Sequence, residues 1–505
     1  MEFDYVVVGA GAAGCVVASR LSADPRRTVL LAEFGGRARG LFISIPKGFY
    51  YTLRGRRYLY RYQTRDNEVW LRGKALGGST AVNGMMWVRG APADWDGLAL
   101  PGWGWADMHP VFDAIERKLC ISVPPAGEIT EAILGSARSY GWPVVKDFNS
   151  LDTERIGLTP SSIANGQRTT AYSAFIRSDK NRSNLTLATR TRVARLLFDG
   201  RRVSGVRAVS ANTGGTTDIV ARKEVIVCAG AIETPLLLER SGIGRPDIVR
   251  SLGVDLAAES PNVGDRLIEQ RGLALQVRLK RGMRITMARQ AAEALKYACT
   301  KGGLLSTGGY DLVCQFKSSP ARARPDVQGL FAPLALDISS EHMKAAAHPG
   351  ILFMGYPIRP STTSSVHASG AEPGDPPVID ARYLETEDDR NSAAPVIEVA
   401  RAVLGQGPVA EYGAAEEFPG PSVATPEQAV RYSLESGSGI YHAVGSAAMG
   451  PDDADVTDGR LRVRGVAGLR IADASVLPAQ VSGNTAAPAT AVGWRAADFV
   501  VEEDQ

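Results

Sequence analysis

The chain of 505 residues is poor in the side chains that cross-link a fold or hold a metal, with 5 cysteines and 5 histidines. Cys15, Cys120, Cys228, Cys299 and Cys314 are odd in number, widely scattered and never form CxxC. That pattern excludes a disulfide framework and a zinc ribbon, and it suits a reducing compartment. The histidines at 109, 342, 348, 367 and 442 show no ligand spacing, so no metal centre is expected. Charge of one sign is also scarce. The 57 Lys plus Arg against 54 Asp plus Glu leave +3, and no basic block is interleaved with aromatics. Nucleic acid and anionic membranes are therefore disfavoured as partners. No run of about 18 apolar residues occurs, and nothing before Tyr5 has the basic start of a secretion signal. The expectation is a soluble, cytoplasmic protein with a small-molecule ligand and no nucleic-acid or membrane partner; the oligomeric state is left open.

The composition present is that of a globular chain, 44% hydrophobic and 22% charged, and its length suggests two or three domains. Asp4 to Val8 reads as a buried strand, followed at once by Gly9-Ala10-Gly11-Ala12-Ala13-Gly14 and a helical pattern from Cys15 to Leu21. In that context GxGxxG is a dinucleotide-binding turn. Gly9 makes the turn, Gly11 lets backbone approach a pyrophosphate and Gly14 permits close helix packing, with Ala12 and Ala13 opening the helix. A second strand, Thr28 to Ala32, ends at Glu33, about where a carboxylate accepts hydrogen bonds from an adenosine ribose. The motif alone does not choose between FAD and NAD. No second strand-linked GxGxxG follows, which weighs against a separate nicotinamide site.

Further along, Gly73 to Met85 is glycine-dense yet flanked by apolar residues, as suits a loop pressed on a planar ligand. Asn184 to Leu187, Arg192 to Phe198 and Gly205 to Val209 read as hairpin strands, with Asp199-Gly200 as a turn. A helical stretch is expected from Ile285 to Ala298, and sheet strands at Phe331 to Leu334 and Ile351 to Ile358. Any one of Phe331, Met354 or Tyr356 is more readily a core residue than a pocket residue. On its residues alone, His442 also reads as an ordinary core or surface histidine, although the small residues after it leave room for an approaching group.

Several of these segments together resemble the glucose-methanol-choline (GMC) oxidoreductases. Gly73 to Met85, with Arg89 to Asp96 and Gly102 to Trp105 after it, looks like the first family signature, and Gly230 to Pro235 continuing to Gly244 looks like the second. His442-Ala-Val-Gly-Ser-Ala-Ala-Met-Gly matches the family's catalytic-histidine motif except for Ser446 in place of threonine, an exchange that keeps the hydroxyl. Ser482 to Pro488 matches the second active-site element, with Asn484 at its polar position. The resemblance spans essentially the whole chain. It implies an α/β fold in which a Rossmann-like FAD-binding domain, 1–100, 186–270 and 445–505, is interleaved with an α+β substrate domain on an antiparallel sheet, 101–185 and 271–444.

The resemblance further implies FAD as cofactor, contacted by Gly77, Gly78, Ser79, Asn83, Gly84, Met85, Val193, Asp473, Ala474, Asn484 and Thr485 in addition to the N-terminal unit. Val82 and Asn83 stand where some members carry a covalently flavinylated histidine, so dissociable FAD is expected. Asp265 to Gln270 departs from the family's usual Asn-Leu-Gln-Asp-His-like run, which puts a cofactor contact there in doubt. The implied reaction moves hydride from a carbinol carbon to flavin N5 while His442 takes the hydroxyl proton and Asn484 donates a hydrogen bond to the developing alkoxide. Oxygen or another acceptor then reoxidises the flavin. A sugar or glycoside hydroxyl is the preferred substrate, with aryl, furan or aliphatic primary alcohols next. A hydroxynitrile lyase with redox-silent FAD and a flavoprotein kept only for binding are the readings from other classes.

Overall fold

The computed structural model describes residues 1–504 apart from 179–181, 283, 285 and 338–343, so Ile285 and His342 lie outside the described residues. Tyr5-Val6-Val7-Val8 has no polar alternation because both faces of its strand are covered, as in a central parallel strand. Glu2–Val8 lies parallel between Val29–Glu33 and Thr216–Val227, and Leu185–Thr189 continues the parallel order beside Val29–Glu33. Leu469–Ile471 joins in parallel on Thr216–Val227. Of the expected hairpin strands, Thr191–Asp199 and Arg202–Ser210 do form an antiparallel pair. Leu185–Thr189 instead pairs in parallel in the main sheet, a long-range choice that the local pattern could not reveal. The helices Ala12–Leu21 and Ala486–Glu503 pack against each other over this seven-stranded sheet.

A second, eight-stranded sheet carries Arg271–Arg278, Gly350–Pro357, Val327–Ala332 and Leu312–Phe316 as antiparallel neighbours. Its residues alternate between two environments. Val327, Phe331, Ile351, Phe353, Cys314 and Phe316 face a core closed by the helices Glu128–Tyr140 and Val396–Leu404. The intervening Gln315, Gln328, Leu330, Met354 and Tyr356 face the other way, where Leu330, Met354 and Tyr356 line a cavity. Both faces being buried, the strands read as nearly continuous apolar runs.

The two parts are interleaved in chain order. The boundary drawn at residue 100 fails locally, because Trp103, Met108, Val111, Phe112 and Ile115 of the Trp105–Leu119 region pack into the core of the first sheet, as do Ala171 and Phe175. Amphipathic helices show which face is buried, not which domain buries it.

Candidate active site

A cavity of about 440 Å³ runs between the two sheets. Three helices begin on it: Ala12–Leu21 after Gly11, Gly230–Arg240 after Ala229, and Ala486–Glu503 after Thr485. No N-cap side chain closes any of them; Asp473 takes the first N–H of the Gly230–Arg240 helix, while the starts of the Ala12–Leu21 and Ala486–Glu503 helices keep their N–H groups and positive dipole ends toward the cavity. A Cβ added at Gly11, Gly84 or Gly230 would meet nothing within 4 Å, because each fronts on this space. Gly14 is different, for its Cβ would lie 1.9 Å from the Gly9 carbonyl oxygen, so it serves strand-to-helix packing.

Gly9, Gly11, Ala12, Ala13, Glu33, Gly78, Ser79, Asn83, Gly84, Met85, Val193, Asp473, Ala474, Asn484, Thr485 and His442 all line the cavity. Gly14 and Gly77 do not. Gly77 stands behind the wall, where its N–H donates to the Ala10 carbonyl at 2.8 Å and ties the loop to the dinucleotide turn. Glu33 accepts from the Ala10 N–H (3.0 Å) and the Gly35 N–H (2.7 Å), so its carboxylate already braces the turn that an adenosine ribose would approach. Burial pushes it up to about 7, against the pull of those two donors. Asp473 accepts from the Gly230 N–H (2.8 Å), Thr234 Oγ1 (2.6 Å) and the Ser475 N–H (2.8 Å), holding a helix start beside the cavity. The open starts of the Ala12–Leu21 and Ala486–Glu503 helices, glycines without a Cβ on the wall and a carboxylate beside the first turn fit an FAD pyrophosphate and ribose. His442 and Asn484 line the same cavity and would stand beside the cofactor held there.

His442 is held at every polar atom. Its backbone N–H donates to Glu269 Oε1 at 2.8 Å, and its carbonyl accepts from Gln480 Nε2 at 2.7 Å. On the ring, Nδ1 lies 2.8 Å from Gln270 Oε1 and Nε2 lies 3.0 Å from Asn484 Nδ2. The surrounding amides decide the tautomer. Gln315 Nε2 donates to Gln328 Oε1 (3.1 Å), which turns Gln328 Nε2 onto Asn484 Oδ1 (3.0 Å) and leaves Asn484 Nδ2 to donate to His442 Nε2. On the far side, Gln270 Nε2 donates to the Ile358 carbonyl (3.1 Å), so Gln270 Oε1 must accept. His442 therefore carries its proton on Nδ1 and presents a lone pair at Nε2. Burial, with the Arg72 charge adding to it, pushes the imidazole down to about 3, so it is neutral throughout the ordinary pH range.

Tyr441 and Ser482, which precede the two site residues, have φ of 67° and 46°. These left-handed turns are held from outside, as where the Ser482 carbonyl accepts from Gln315 Nε2 at 2.9 Å. Ser446 Oγ donates to the Ala231 carbonyl at 2.7 Å, so the hydroxyl in the histidine motif ties that loop to the Gly230–Arg240 helix.

Sequence reasoning missed Gln270, Glu269, Arg72, Gln315 and Gln328. The Asp265 to Gln270 segment, doubtful as a cofactor contact, does not line the cavity but supports His442 from behind. The Glu269 side chain is fully buried and pairs with Arg72 at 3.4 Å, and Arg72 itself lines the cavity. Met354 and Tyr356 line it too, whereas Phe331 is core. Only strand parity could have suggested this, since Gln315, Gln328 and Tyr356 stand opposite one another across three strands.

Fold and cavity are those of a dinucleotide-binding protein. Two family profiles described as GMC oxidoreductase match residues 3–271 and 360–493. The chain is 30% identical to the oxygen-dependent choline dehydrogenase of Serratia proteamaculans, over 99% of this chain and 96% of that protein. It is 33% identical to an uncharacterized GMC-type oxidoreductase of Mycobacterium bovis, over 99% of both. Among solved structures, pyridoxine 4-oxidase from Mesorbium loti matches with a TM-score of 0.88 and 26% identity, over 99% of each chain. The protein belongs to the GMC oxidoreductase family, whose members bind FAD and oxidise alcohols. Among the described residues no helix is long and apolar enough to cross a membrane.

Proposed function

We propose that this protein oxidises a primary alcohol with His442 as the base, and that its preferred substrate carries the hydroxymethyl group on an apolar or aromatic body. The observation that carries the first part is the neutral, Nδ1-protonated imidazole with its Nε2 lone pair on the cavity wall, 3.0 Å from the Asn484 amide nitrogen. When the alcohol enters, its oxygen replaces Nε2 as the acceptor of the Asn484 Nδ2–H, which frees the Nε2 lone pair for the alcohol O–H; the proton passes to Nε2 while Asn484 donates to the oxygen as charge builds on it. An oriented donor of this kind contributes roughly 3 kcal/mol. FAD, when bound, supplies the two-electron acceptor for the carbinol hydrogen. Met354 and Tyr356 line the cavity on the sheet side, and burial, with the Arg72 charge adding to it, keeps the imidazole from being protonated in advance.

The substrate class is argued from the wall. Phe49, Tyr50, Leu53, Tyr310, Met354 and Tyr356 line the cavity together with His442, and a wall of rings and aliphatic groups suits a planar or aliphatic body. A sugar or glycoside, the class preferred from sequence, offers several hydroxyls that need polar partners, and it becomes the second reading. Choline and pyridoxine, named in the relatives, are both alcohols with a hydroxymethyl carbon. We also take the FAD to be dissociable, since Val82 and Asn83 offer no imidazole to the ring.

The test is anaerobic mixing of the FAD-loaded protein with benzyl-type, furan-type, aliphatic and sugar alcohols. Bleaching by the aromatic or aliphatic primary alcohols is expected, and bleaching by sugars alone would overturn the substrate class. Fast recovery of colour on admitting air marks an oxidase, and slow recovery a dehydrogenase with another acceptor. A flavin that no alcohol bleaches, in a protein that cleaves a cyanohydrin, would replace the whole reading with a lyase.

A further inference from the structure

A second cavity, of about 580 Å³, shares no lining residue with the first. Five arginines line it, Arg37, Arg39, Arg168, Arg177 and Arg182, and no aspartate or glutamate does. Ile43, Leu76, Ile176, Leu185 and Leu187 add apolar lining. One wall is the π-helical turn Tyr172–Arg177, a wide turn of the kind that recurs at ligand sites.

Arg168 is the unusual member, only 7% exposed. Its Nε donates to the Ile43 carbonyl (3.1 Å), and its Nη1 donates to the Thr80 carbonyl (3.2 Å) and Asn83 Oδ1 (3.0 Å). Its Nη2 is buried with no hydrogen-bond partner, and among the described residues Arg168 forms no ion pair. Burial, with no carboxylate to oppose it, pulls the guanidinium down to about 9. A buried charge without a counter-ion is expensive to maintain, several kcal/mol by order of magnitude. An anion in the cavity would relieve it. Arg37, Arg39 and Arg177 are exposed, and among the described residues they too form no ion pair, so they are available to draw an anion in.

We propose that this second cavity binds an organic anion, a phosphate or carboxylate on an apolar body, with the head group on Arg168 and the body against Leu76, Ile176, Leu185 and Leu187. A guanidinium suits both head groups through its fork of donors. The site is joined to the flavin cavity by one side chain, because the Thr80 and Asn83 groups that Arg168 holds belong to a loop lining that cavity.

Calorimetry on the FAD-loaded protein tests this with phenyl phosphate, benzoate, inorganic phosphate and phenol as probes. Phenyl phosphate or benzoate is expected to bind with one equivalent per chain, inorganic phosphate at least about tenfold more weakly, and phenol not at all. Arg168→Gln is expected to weaken the aryl anion by tenfold or more, and Arg39→Ala with Arg177→Ala by several-fold with no change in the rate of flavin reduction. The double rim variant decides the matter if Arg168→Gln does not fold. The proposal is overturned if neither aryl anion binds saturably at millimolar concentration, if binding is indifferent to the arginine substitutions, or if inorganic phosphate binds as tightly as the aryl anions.

Discussion

Replacing Gln270 by leucine removes the acceptor for His442 Nδ1–H, a contact of 2.8 Å to a buried amide, while keeping nearly the same volume. Two outcomes are then open to the imidazole. If it keeps the proton on Nδ1, it leaves a buried donor unpaired, which costs about 1–3 kcal/mol. If it moves the proton to Nε2, it sets a donor against Asn484 Nδ2, which the chain from Gln315 through Gln328 holds in the donating orientation. That second form has no lone pair at Nε2 to take a proton. With tenfold in rate for each 1.4 kcal/mol, flavin reduction by a saturating alcohol should fall by roughly 10- to 100-fold. Anaerobic stopped-flow absorbance reads this rate directly. FAD content should not change, because Gln270 does not line the cavity. Gln270→Glu should restore most of the rate, since a carboxylate accepts the same proton, and should raise the acidic limb of the pH profile by stabilising the imidazolium. A leucine variant that keeps its FAD and reduces it within twofold of the parent would refute the argument.

His442→Ala should keep its FAD but reduce it about 10²- to 10⁴-fold more slowly, and near-normal reduction would remove the histidine from the chemistry. Because burial and Arg72 push His442 down to about 3, the parent's flavin-reduction rate should stay flat from pH 8 to pH 5; an acidic limb near 6.5 assigned to His442 would contradict the geometry. His367 donates to Glu239 (2.6 Å) and lies 3.4 Å from Asp265; burial opposes its charge, but these partners raise it to about 9. A raised histidine contributes stability that is full below its unfolded value of about 6.5 and is lost as pH rises through 9, so His367→Gln should be less stable than the parent by up to about 3 kcal/mol at pH 6, with the difference shrinking above pH 9 in denaturant titrations. Acid precipitation should release the flavin into the supernatant, and a yellow pellet would show a covalent bond.

Local pattern carries far in this chain where each signal is confined to one stretch of sequence. The strand, glycine turn, helix and Glu33 of the first residues form one contiguous unit, and His442 and Asn484 each sit in a motif readable within ten residues. What stayed hidden depends on contacts between distant segments. Leu185–Thr189 pairs in parallel with Val29–Glu33, and Trp103 and Phe112 join the core of the first sheet, because long-range burial, not local periodicity, chooses the partner. Gln315, Gln328 and Gln270 look like interior polar residues with no stated purpose until three strands and a loop bring them into one chain of hydrogen bonds around His442. The five arginines of the second cavity come from four separate stretches between residues 37 and 182, so no window of sequence shows them as one site. The sequence by itself determined the fold class and the dinucleotide turn, since these need only residue type and short spacing. Only the tertiary structure decided which imidazole nitrogen holds the proton, because that depends on the direction of hydrogen bonds among groups far apart along the chain.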